Sequence, residues 1–416
     1  MDYKKRLIDS ELKSALDASG AVLLEGARGC GKTSSALNLA ASSVRLDLDA
    51  RMRELASFAP EILLTGETPR LIDEWQLVPE VFNQIRAEVD SRQEVGQFVL
   101  TGSSKPIDSK GIHPGSHRFL RLRMRPLTMT EWSENENLVS LADVLSGKDI
   151  YGKSMPTQLN ELANQICKGG WPILQRRTVS QSLALNRSYL EDVYRADFDQ
   201  VRPGSDSERA RAVVQALARN VSTETSNNAL AREVGARLGF SGEPETVASY
   251  MQALADLSLI ETIEPWLVHL RSKDIVRKSA KRYFVDPSLA AAALGANPDN
   301  LIADLDTFGL MFENLVMRDL LVYAQGLGLT IRHFRDSSGL EVDAVLTSEN
   351  GDWFGIEIKL NPNRADQASL TLQKFRDKLN VDQTGKCLGL AVITHSEFSF
   401  KRPDGVYLLG VDQLTV

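Results

Sequence analysis

The sequence predicts an α/β protein in three parts, and three observations support this prediction. A glycine-rich phosphate-binding loop lies between a strand-like run and a helix-like run near the N-terminus. Apolar residues at helical spacing fill the middle of the chain. Strand-like segments near the C-terminus carry the carboxylates and lysine of a metal-nuclease pattern. We therefore expect a P-loop core at 1–150, a middle part that consists of a helical connector at 151–205 and a winged-helix domain at 206–300, and a restriction-endonuclease-like α/β domain at 301–416.

The first part contains the stretch Gly26-Ala-Arg-Gly-Cys-Gly-Lys32-Thr33, which fits the pattern G-x-x-x-x-G-K-[ST] at every defined position. The glycines let several backbone N–H groups point at one phosphate chain, and the helix N-terminus adds partial positive charge. Lys32 is expected to reach the β- and γ-phosphates, and the Thr33 hydroxyl to ligate Mg²⁺. The sequence thus predicts an ATP site whose binding residues are Gly26, Ala27, Arg28, Gly29, Cys30, Gly31, Lys32, Thr33 and Ser34.

A later apolar strand ends in two adjacent carboxylates, Asp73 and Glu74, and resembles a Walker B segment. Asp73 is expected to hold the Mg²⁺ shell, and Glu74 to orient or deprotonate the attacking water. The alternative is that both carboxylates only cap the helix that follows, where negative charge is favoured in any case. Because the pair accompanies the glycine-rich loop, it predicts hydrolysis of ATP as well as binding.

Two further positions are candidates for roles at the γ-phosphate. Thr101 and Ser103 end another apolar strand, where P-loop ATPases carry a polar group that senses this phosphate, although hydroxyl residues at a strand end also simply begin turns. Arg118 lies in a segment that alternates basic and apolar residues. It is our candidate for an arginine finger directed at a neighbouring subunit, and a solvated basic face is the alternative.

Composition limits the class of protein. A chain of 416 residues with 43% hydrophobic content can bury more than one core. Its three cysteines have no paired spacing, which indicates neither a disulfide framework nor a zinc site and suits a reducing cytoplasm. We find no stretch long enough to cross a bilayer. A net charge of -7 means that contacts with nucleic acid must come from local basic patches.

The middle of the chain is predicted to be helical. Helices from Glu161 and Ser180, separated by a Gly-Gly-Trp-Pro break, would form a connector. Helices 208–219, 228–238 and 243–257 then read as a helix-turn-helix, and a basic stretch around Arg271 and Lys273 reads as the wing. This pattern predicts DNA contact through the third helix and the wing. Since the third helix is acidic, a structural spacer with the same fold is an equal alternative.

The C-terminal part contains an Asp and a Glu-x-Lys on consecutive strands, a metal-nuclease pattern. Glu357 and Lys359 share one face of a strand, and Asp343 on the adjacent strand can meet them. With Glu313 on the preceding helix, these carboxylates would bind Mg²⁺ or Mn²⁺, and Lys359 would orient the hydroxide. The alternative is an exposed strand face on which Glu and Lys are common. The order helix, three strands, helix, strand favours a restriction-endonuclease-like core.

The chain resembles a prokaryotic family of AAA-type ATP-binding proteins that carry a C-terminal domain of unknown function, DUF 4143. The resemblance covers nearly the whole chain and implies an AAA-type core, a winged-helix segment and a nuclease-like domain. It also implies a homo-oligomer, because AAA-type ATPases usually complete their sites between subunits. The motifs that carry it are Gly31-Lys32-Thr33, Ile72-Asp73-Glu74-x-Gln76, Leu100-Thr101-Gly102-Ser103-Ser104, Pro126-Leu127 with Glu131, Gly169-Gly170-x-Pro172, Phe312-Glu313-Asn314, Glu341-Val-Asp343 and Glu357-Ile-Lys359.

Our interpretation of the sequence is a cytoplasmic ATPase that couples ATP hydrolysis to a DNA-directed, metal-dependent nuclease-like domain. The alternative is a nucleotide-operated switch, in regulation or defence, whose nuclease-like domain only binds a partner or nucleic acid. The complete set Glu313, Asp343, Glu357 and Lys359 favours the enzyme, because a mere binding surface does not need four such groups in register.

Overall fold

The first part of the chain is a parallel sheet with helices on both faces. The computed structural model describes residues 3–102, 117–133, 135, 137–155, 158–238, 243–267, 279–380 and 384–416. The five strands are β1 (Ala21–Glu25), β2 (Ser42–Arg45), β3 (Arg70–Asp73), β4 (Phe98–Gly102) and β5 (Phe119–Arg123). They are all parallel and lie in the order β2-β3-β4-β1-β5. The helices are α1 (Ile8–Ala18), α2 (Lys32–Leu39), α3 (Ala50–Phe58) and α4 (Val81–Arg92).

Continuous apolar strands explain why this sheet is buried on both faces. Val22 and Leu24 of β1 pack into one core cluster, whereas Ala21 and Leu23 pack into another. Successive side chains of a strand point to opposite faces, so each cluster is one face of the sheet. Because all five strands are parallel, their carboxyl ends meet at one edge, and the segments that follow β1, β3 and β4 lie there together.

The segment after β5 leaves this sheet and joins other parts of the molecule. It contains α5 (Met129–Trp132), β6 (Val139–Ser140), α6 (Leu141–Leu145) and β7 (Tyr151–Lys153). The Thr128 hydroxyl accepts a hydrogen bond from the Glu131 amide, and the Glu131 carboxylate accepts one from the Thr128 amide. This capping box begins α5 and explains why Glu131 follows the Pro126-Leu127 pair.

The middle of the chain is helical, as the apolar spacing predicts. Its first helices are α7 (Leu159–Lys168), α8 (Val179–Asp192), a π-helical turn (Val193–Asp197) and α9 (Phe198–Val201). A three-helix unit and a hairpin follow, with α10 (Ser207–Arg219), α11 (Asn227–Leu238), α12 (Pro244–Asp256), β8 (Ile260–Ile263) and β9 (Lys281–Phe284). The strands β8 and β9 are antiparallel, and we call α10–α12 with β8 and β9 the winged-helix unit after the domain that the sequence predicts here. Arg271 and Lys273 of the predicted basic wing lie outside the described residues.

The C-terminal part is a second, mixed sheet. The elements that lead into it are α13 (Pro287–Leu294), α14 (Pro298–Ala303) and the long α15 (Leu305–Gly326). The sheet and its helix comprise β10 (Thr330–Arg335), β11 (Glu341–Thr347), β12 (Trp353–Lys359), α16 (Ala365–Lys378), β13 (Cys387–Thr394), β14 (Phe398–Lys401) and β15 (Tyr407–Gly410). A last short strand, β16 (Leu414–Thr415), lies outside this sheet. The strand order is β10-β11-β12-β13-β15-β14-β7. The predicted succession of helix, three strands, helix and strand is therefore present.

The C-terminal sheet also recruits the segment that follows the first domain. β7 pairs antiparallel with β14, and β6 pairs in parallel with β16. The sequence placed the boundary of the first domain at residue 150, within a polar, glycine-containing stretch. In the structure this stretch belongs to the C-terminal sheet, because β7 is the edge strand next to β14.

A buried ionic network joins the three parts. Arg318 of α15 pairs with Asp286, which precedes α13, at 2.8 Å and with Asp319 at 2.7 Å. The Gly170 amide donates to Asp286, and the Met129 amide donates to Asp319. A Cβ atom on Gly170 would lie 2.4 Å from the Leu127 carbonyl oxygen, so only glycine fits between the parts. The Gly-Gly-Trp-Pro break is thus an interdomain contact.

No helix in the described ranges of the chain is both long enough and apolar enough to cross a membrane.

Candidate functional sites

The phosphate-binding loop connects β1 to α2 at the carboxyl edge of the parallel sheet. Gly31 precedes α2 with φ +112°, a conformation that favours glycine. A Cβ atom on Gly26 would lie 2.2 Å from the carbonyl oxygen of Met124, so the close approach of these two backbones also requires glycine. These two constraints shape the loop into a backbone cradle at a helix N-terminus, the arrangement that binds phosphate groups.

Lys32 and Thr33 begin α2 at the bottom of this cradle. The Lys32 ammonium is buried and donates to the carbonyl oxygens of Gly26 at 2.7 Å and Ala27 at 3.0 Å. The Thr33 hydroxyl donates to Asp73 Oδ1 at 2.8 Å. The oxygens of Thr33 and Asp73 therefore lie side by side, as ligands of one hard cation must, so the residues present fit an Mg²⁺–nucleotide complex.

Asp73 ends β3 and is fully enclosed by polar partners. The strand β4 lies between β1 and β3, so Thr101 is in register with both Leu24 and Asp73. The Thr101 hydroxyl donates to Asp73 Oδ1, and the Arg45 guanidinium lies 3.3 Å from Asp73 Oδ2. The fold brings Thr33 and Thr101 together at Asp73, whereas the role of Thr101 at the γ-phosphate stays a prediction. The sequence gave no signal for Arg45, whose position at the end of β2 becomes informative only once the strand order is known.

Glu74 follows Asp73 in a left-handed backbone conformation, with φ +55°. A non-glycine residue in this region is uncommon and clusters at functional sites. Burial raises the pKa of its carboxyl group and the Asp73 charge adds to this, whereas the hydrogen bond from the Gln76 amide and the Lys32 charge lower it. Glu74 thus directly follows Asp73 and has a carboxyl group with a raised pKa.

Two further residues of the loop, Arg28 and Cys30, are held by contacts with other segments of the chain. Arg28 pairs with Asp197 at 3.1 Å and lies over the Tyr189 ring, so it faces the helical connector. Cys30 is buried, and its carbonyl accepts a hydrogen bond from Arg6 at 2.9 Å. Arg6 forms a buried ion pair with Glu131. A lone arginine near the N-terminus belongs to no motif, so the role of Arg6 in supporting the loop could not be predicted from sequence.

Two of the predicted residues, Ser34 and Arg118, lie away from the loop's interior, and the placement of a third is not described. Ser34 is exposed on α2, and Ser103 lies outside the described residues. Arg118 precedes β5 at the edge of the sheet opposite the loop, because Ala21 pairs with Phe119 there. Its guanidinium pairs with Asp90 at 2.8 Å. A contact of Arg118 with a γ-phosphate would therefore have to be made to another subunit.

The second site is the carboxylate cluster of the C-terminal sheet, formed by Glu313, Asp343, Glu357 and Lys359. β11 and β12 are antiparallel neighbours, which sets Asp343 beside Glu357 and Lys359. Asp343 Oδ2 accepts hydrogen bonds from the Ile358 amide at 2.9 Å and from Lys359 at 3.2 Å. Lys359 lies 2.6 Å from Glu357. The structure thus gathers the four residues that the sequence selected.

A fifth group, Lys281 of β9, enters this cluster from the winged-helix unit. Its ammonium lies 3.2 Å from Glu313, 2.9 Å from Glu341 and 3.2 Å from Asp343. Tyr283, two residues further along β9, donates to Glu313 at 2.8 Å. The sequence assigned the basic residues near this strand to a DNA-binding wing and gave no indication that one of them turns inward.

The charges of the cluster shift its pKa values in opposite directions. Burial raises the pKa of Glu357 and of Glu313, and the neighbouring Asp343 charge raises both further. Burial alone would also raise the pKa of Asp343, but Lys281 and Lys359 outweigh it and lower this pKa. Asp343 is therefore the carboxylate that stays ionised between the two lysines.

The cluster does not fit the metal ion that the sequence predicts there. Among the residues that the structure describes, no group of three or more His, Cys, Asp and Glu side chains could hold a metal ion. The Lys281 ammonium instead lies 3.2 Å from each of two predicted ligands, Glu313 and Asp343, and Lys359 lies 2.6 Å from the third, Glu357. As folded, Glu313, Asp343 and Glu357 are partners of lysines, and the predicted Mg²⁺ or Mn²⁺ has no place among them.

The cluster forms the floor of a cleft of about 640 Å³ between the winged-helix unit and the C-terminal sheet. Arg335, Arg364 and Lys374 lie at its rim and are exposed. Arg335 is paired with Glu224, which also lines the cleft, so the exposed positive charge at the opening comes mainly from Arg364 and Lys374.

Family models match most of the chain. An AAA domain matches residues 18–133, a domain of unknown function, DUF8612, matches 159–300, and DUF4143 matches 308–414. The resemblance that the sequence motifs carry is confirmed by the first and last of these matches. The AAA match makes the N-terminal part an ATPase domain of the P-loop class, and DUF8612 spans both the connector and the winged-helix unit.

Relatives and solved structures extend the comparison. Uncharacterized proteins of Mycobacterium tuberculosis and Mycobacterium bovis are each 24% identical to this chain over 421 residues, which is 100% of this chain and 85% of theirs. A Walker-type ATPase of Pyrococcus abyssi aligns with 70% of this chain and 96% of its own, at 14% identity and a TM-score of 0.42. A variant of Thermotoga maritima RuvB aligns with 61% and 88%, at 16% identity and a TM-score of 0.26.

Proposed function

We propose that this chain, which has an AAA domain and a C-terminal DUF4143 domain, uses ATP hydrolysis to control a DNA-directed, nuclease-like cleft. The observation that carries the ATPase part is the meeting of Lys32, Thr33, Asp73, Glu74 and Thr101 at one edge of the parallel sheet. The observation that supports the second part is the basic rim around the carboxylate cluster.

The loop residues would bind and orient the triphosphate. Backbone amides of the cradle and the Lys32 ammonium would hold the phosphate oxygens once Lys32 turns from the carbonyls of Gly26 and Ala27. Thr33 and Asp73 would hold Mg²⁺, which supplies neutralisation of the charge that develops on the β- and γ-phosphates. Thr101 would fix the orientation of Asp73 by the hydrogen bond that it already donates.

Glu74 would act on the attacking water. Its raised pKa gives the carboxylate more basicity than an exposed glutamate, which favours acceptance of a proton near neutral pH. Gln76 holds one of its oxygens, so the other can be directed toward the γ-phosphate end of the cradle. The left-handed backbone at this residue sets that direction.

A homo-oligomer would bring Arg118 to a γ-phosphate. Its place at the sheet edge remote from its own loop supports a role in trans only. The test is a mixture of inactive Lys32→Ala and Arg118→Ala proteins, because neither supplies a complete site alone. We expect the mixture to recover ATP hydrolysis. If the mixture recovers nothing and Arg118→Ala by itself hydrolyses ATP normally, Arg118 does not have this role.

The cleft would bind the phosphate backbone of DNA through its rim. Arg364 and Lys374 are exposed basic residues that border the opening. Arg364 ends a short 3-10 helix (Pro362–Arg364), and Lys374 lies on α16. We expect the Arg364→Ala/Lys374→Ala double variant to weaken DNA binding and to reduce the slope of log K against log salt by about 2. Lys386→Ala, an exposed lysine outside the cleft, is the matched control and should leave both quantities unchanged.

Metal-dependent cleavage of DNA is the second candidate for this cleft. The observation that favours it is that Asp343, Glu357 and Lys359 lie on adjacent strands in the order of a metal nuclease. The observation that favours binding without cleavage is the Lys281 ammonium among the carboxylates. We therefore propose binding as the function of the arrangement seen here.

A cleavage assay decides between the two candidates. Single-stranded and duplex DNA are incubated with the wild type in Mg²⁺ or Mn²⁺, with and without ATP, beside Asp343→Ala and the exposed control Glu349→Ala. A nuclease would be established if Asp343→Ala loses cleavage but still hydrolyses ATP, whereas Glu349→Ala keeps cleavage. Cutting that persists in Asp343→Ala would remove this site from the reaction, and absence of cutting in every condition supports the binding role.

A further inference from the structure

The β8–β9 hairpin connects the phosphate-binding loop to the carboxylate cluster. Glu261 of β8 accepts from Arg123 and from Arg125, in each case at 2.9 Å, and Arg123 also donates to the Ile260 carbonyl. Arg125 is 7% exposed and Glu261 12%, so the Arg125–Glu261 ion pair is largely shielded from water, whereas Arg123 is 30% exposed. One strand of the hairpin is thus fixed to the end of β5.

The attachment point lies directly behind the loop. Met124, between the two arginines, donates its amide to the Glu25 carbonyl at 2.7 Å. Its own carbonyl oxygen occupies the space that a Cβ atom on Gly26 would need. A change in the backbone of the loop on nucleotide binding would therefore press on Met124 and on the arginines that hold Glu261.

The other strand of the hairpin delivers Lys281 to the cluster. Glu261 is paired with Tyr283, and Ile263 with Lys281, in the antiparallel ladder. Lys281 is 3% exposed, and its ammonium can donate three hydrogen bonds. It has three carboxylates within ion-pair distance, those of Glu313, Glu341 and Asp343. Every donor of this ammonium can therefore be satisfied inside the cluster.

The position of this ammonium excludes a divalent cation. An Mg²⁺ or Mn²⁺ ion bound by Glu313 and Asp343 would have to approach the same carboxylate oxygens at about 2.1 Å. A second cation at that place would repel the ammonium and compete for its ligands. Lys359 is different, because it is 37% exposed and reaches Asp343 and Glu357 from the cleft side.

We propose that Lys281 is an internal cation that takes the place of a divalent metal in the carboxylate cluster, and that the β8–β9 hairpin ties its position to the phosphate-binding loop. The inference rests on the proposed function of this cleft and assigns its regulation. Metal can enter only when Lys281 leaves, and Lys281 can leave only when the hairpin shifts.

Binding of Mn²⁺ alone tests the first half of the proposal. Electron paramagnetic resonance measures free Mn²⁺ in nucleotide-free wild type, Lys281→Gln and Lys359→Gln, with Lys281→Gln/Asp343→Asn to identify the site. We expect Lys281→Gln to gain one site that binds at least about tenfold more tightly than any Asp343-dependent site of the wild type, which corresponds to about 1.4 kcal/mol. Lys359→Gln removes the same charge and should change the affinity less than about threefold.

Two results would overturn the assignment. Equal gains in Lys281→Gln and Lys359→Gln would mean that net charge, and not the place of Lys281, controls metal binding. If Lys281→Gln does not fold, as circular dichroism would reveal, the comparison of wild type with Asp343→Asn still decides. A tight Mn²⁺ site in the nucleotide-free wild type that Asp343→Asn loses contradicts the proposal. These readouts do not require DNA cleavage, so a failure of the nuclease role leaves them valid.

A double-mutant cycle tests the second half. ATP affinity is measured by fluorescence titration in wild type, Glu261→Gln, Lys281→Gln and the double variant, with Lys281→Arg in place of Lys281→Gln if the latter unfolds. Linkage makes the coupling of the two sites reciprocal, so the double effect should differ from the product of the single effects by about threefold or more. Independent effects would show that the hairpin does not connect Lys281 to the loop.

Discussion

The two sites of this protein each place a lysine among oxygen atoms, but the partners of the lysines differ. In the phosphate-binding loop, Lys32 donates to the neutral carbonyls of Gly26 and Ala27. In the carboxylate cluster, Lys281 is surrounded by ionisable carboxyl groups. A lysine on carbonyls is easily transferred to a phosphate, because the phosphate offers it a full opposite charge. A lysine among carboxylates already has that charge.

This difference separates a site that needs a ligand from a site that is complete in itself. Asp73 accepts hydrogen bonds from two hydroxyl groups, and both Asp73 and Thr33 have oxygens suited to Mg²⁺. Asp343 has two lysines and a backbone amide as partners. We therefore expect ligand-dependent behaviour to be strong at the first site and to require a conformational change at the second.

The largest effect is expected for Lys32→Ala. Because this ammonium would neutralise the phosphates, ATP hydrolysis should fall about 100-fold to 1000-fold and ATP affinity should fall with it. Phosphate release and fluorescent-nucleotide titration measure the two quantities, with exposed Lys13→Ala as the control. Hydrolysis within about twofold of the wild type would contradict the role of the loop.

Lys281→Gln compared with Lys359→Gln tests the claim that the second site is complete in itself. Removing the buried partner leaves several carboxylates without their cation, so the apparent free energy of unfolding should drop by about 3–5 kcal/mol. Because Lys359 is partly exposed, Lys359→Gln should lower the free energy of unfolding by about 1 kcal/mol or less. Urea unfolding followed by fluorescence compares them. Equal losses would mean that Lys281 is no more essential to the cluster than Lys359.

Glu74→Gln should separate hydrolysis from binding at the first site. The amide keeps the shape of the side chain but cannot accept the proton, so we expect turnover about 100-fold slower with ATP affinity within about twofold. The exposed Glu80→Gln is the matched control. Unchanged turnover in Glu74→Gln would mean that Glu74 takes no part in hydrolysis and that its left-handed backbone has only a structural role.

The smallest effect is expected for Thr101→Val, which keeps the shape of the side chain but removes its hydroxyl. Loss of one hydrogen bond to the Asp73 carboxylate should slow hydrolysis about tenfold, because such a bond contributes about 1.5–3 kcal/mol. ATP affinity is measured in parallel and should change less. A variant with normal turnover would show that Thr33 alone orients Asp73.

Much of the first site could be predicted from sequence because its residues follow strands of one parallel sheet. Once the loop and the carboxylates at Asp73 are recognised, strand parallelism brings them to the same edge. Arg45 and Arg6 could not be predicted, because each reaches the site from a segment that carries no motif. Thr101 was predicted from its place at a strand end, and the strand order supplies the reason for its contact with Asp73.

The boundary near residue 150 shows a different limit of the sequence. A polar stretch with glycine is typical of a linker, yet Tyr151–Lys153 becomes the edge strand of the C-terminal sheet. Three residues are too few for an alternating pattern to be recognised. Their pairing with β14 depends on a partner that lies far along the chain, and local propensity does not report such a contact.

The sequence by itself determined the ATPase domain, the helical middle and the set Glu313, Asp343, Glu357 and Lys359, because local spacing places these residues on defined faces of helices and strands. Only the tertiary structure decided what surrounds that set. Lys281 belongs to another unit and reads as one more basic residue of a wing. Its inward direction follows from the pairing of β9 with β8 and from the desolvated carboxylates that attract it, and long-range electrostatics of this kind has no periodicity in sequence.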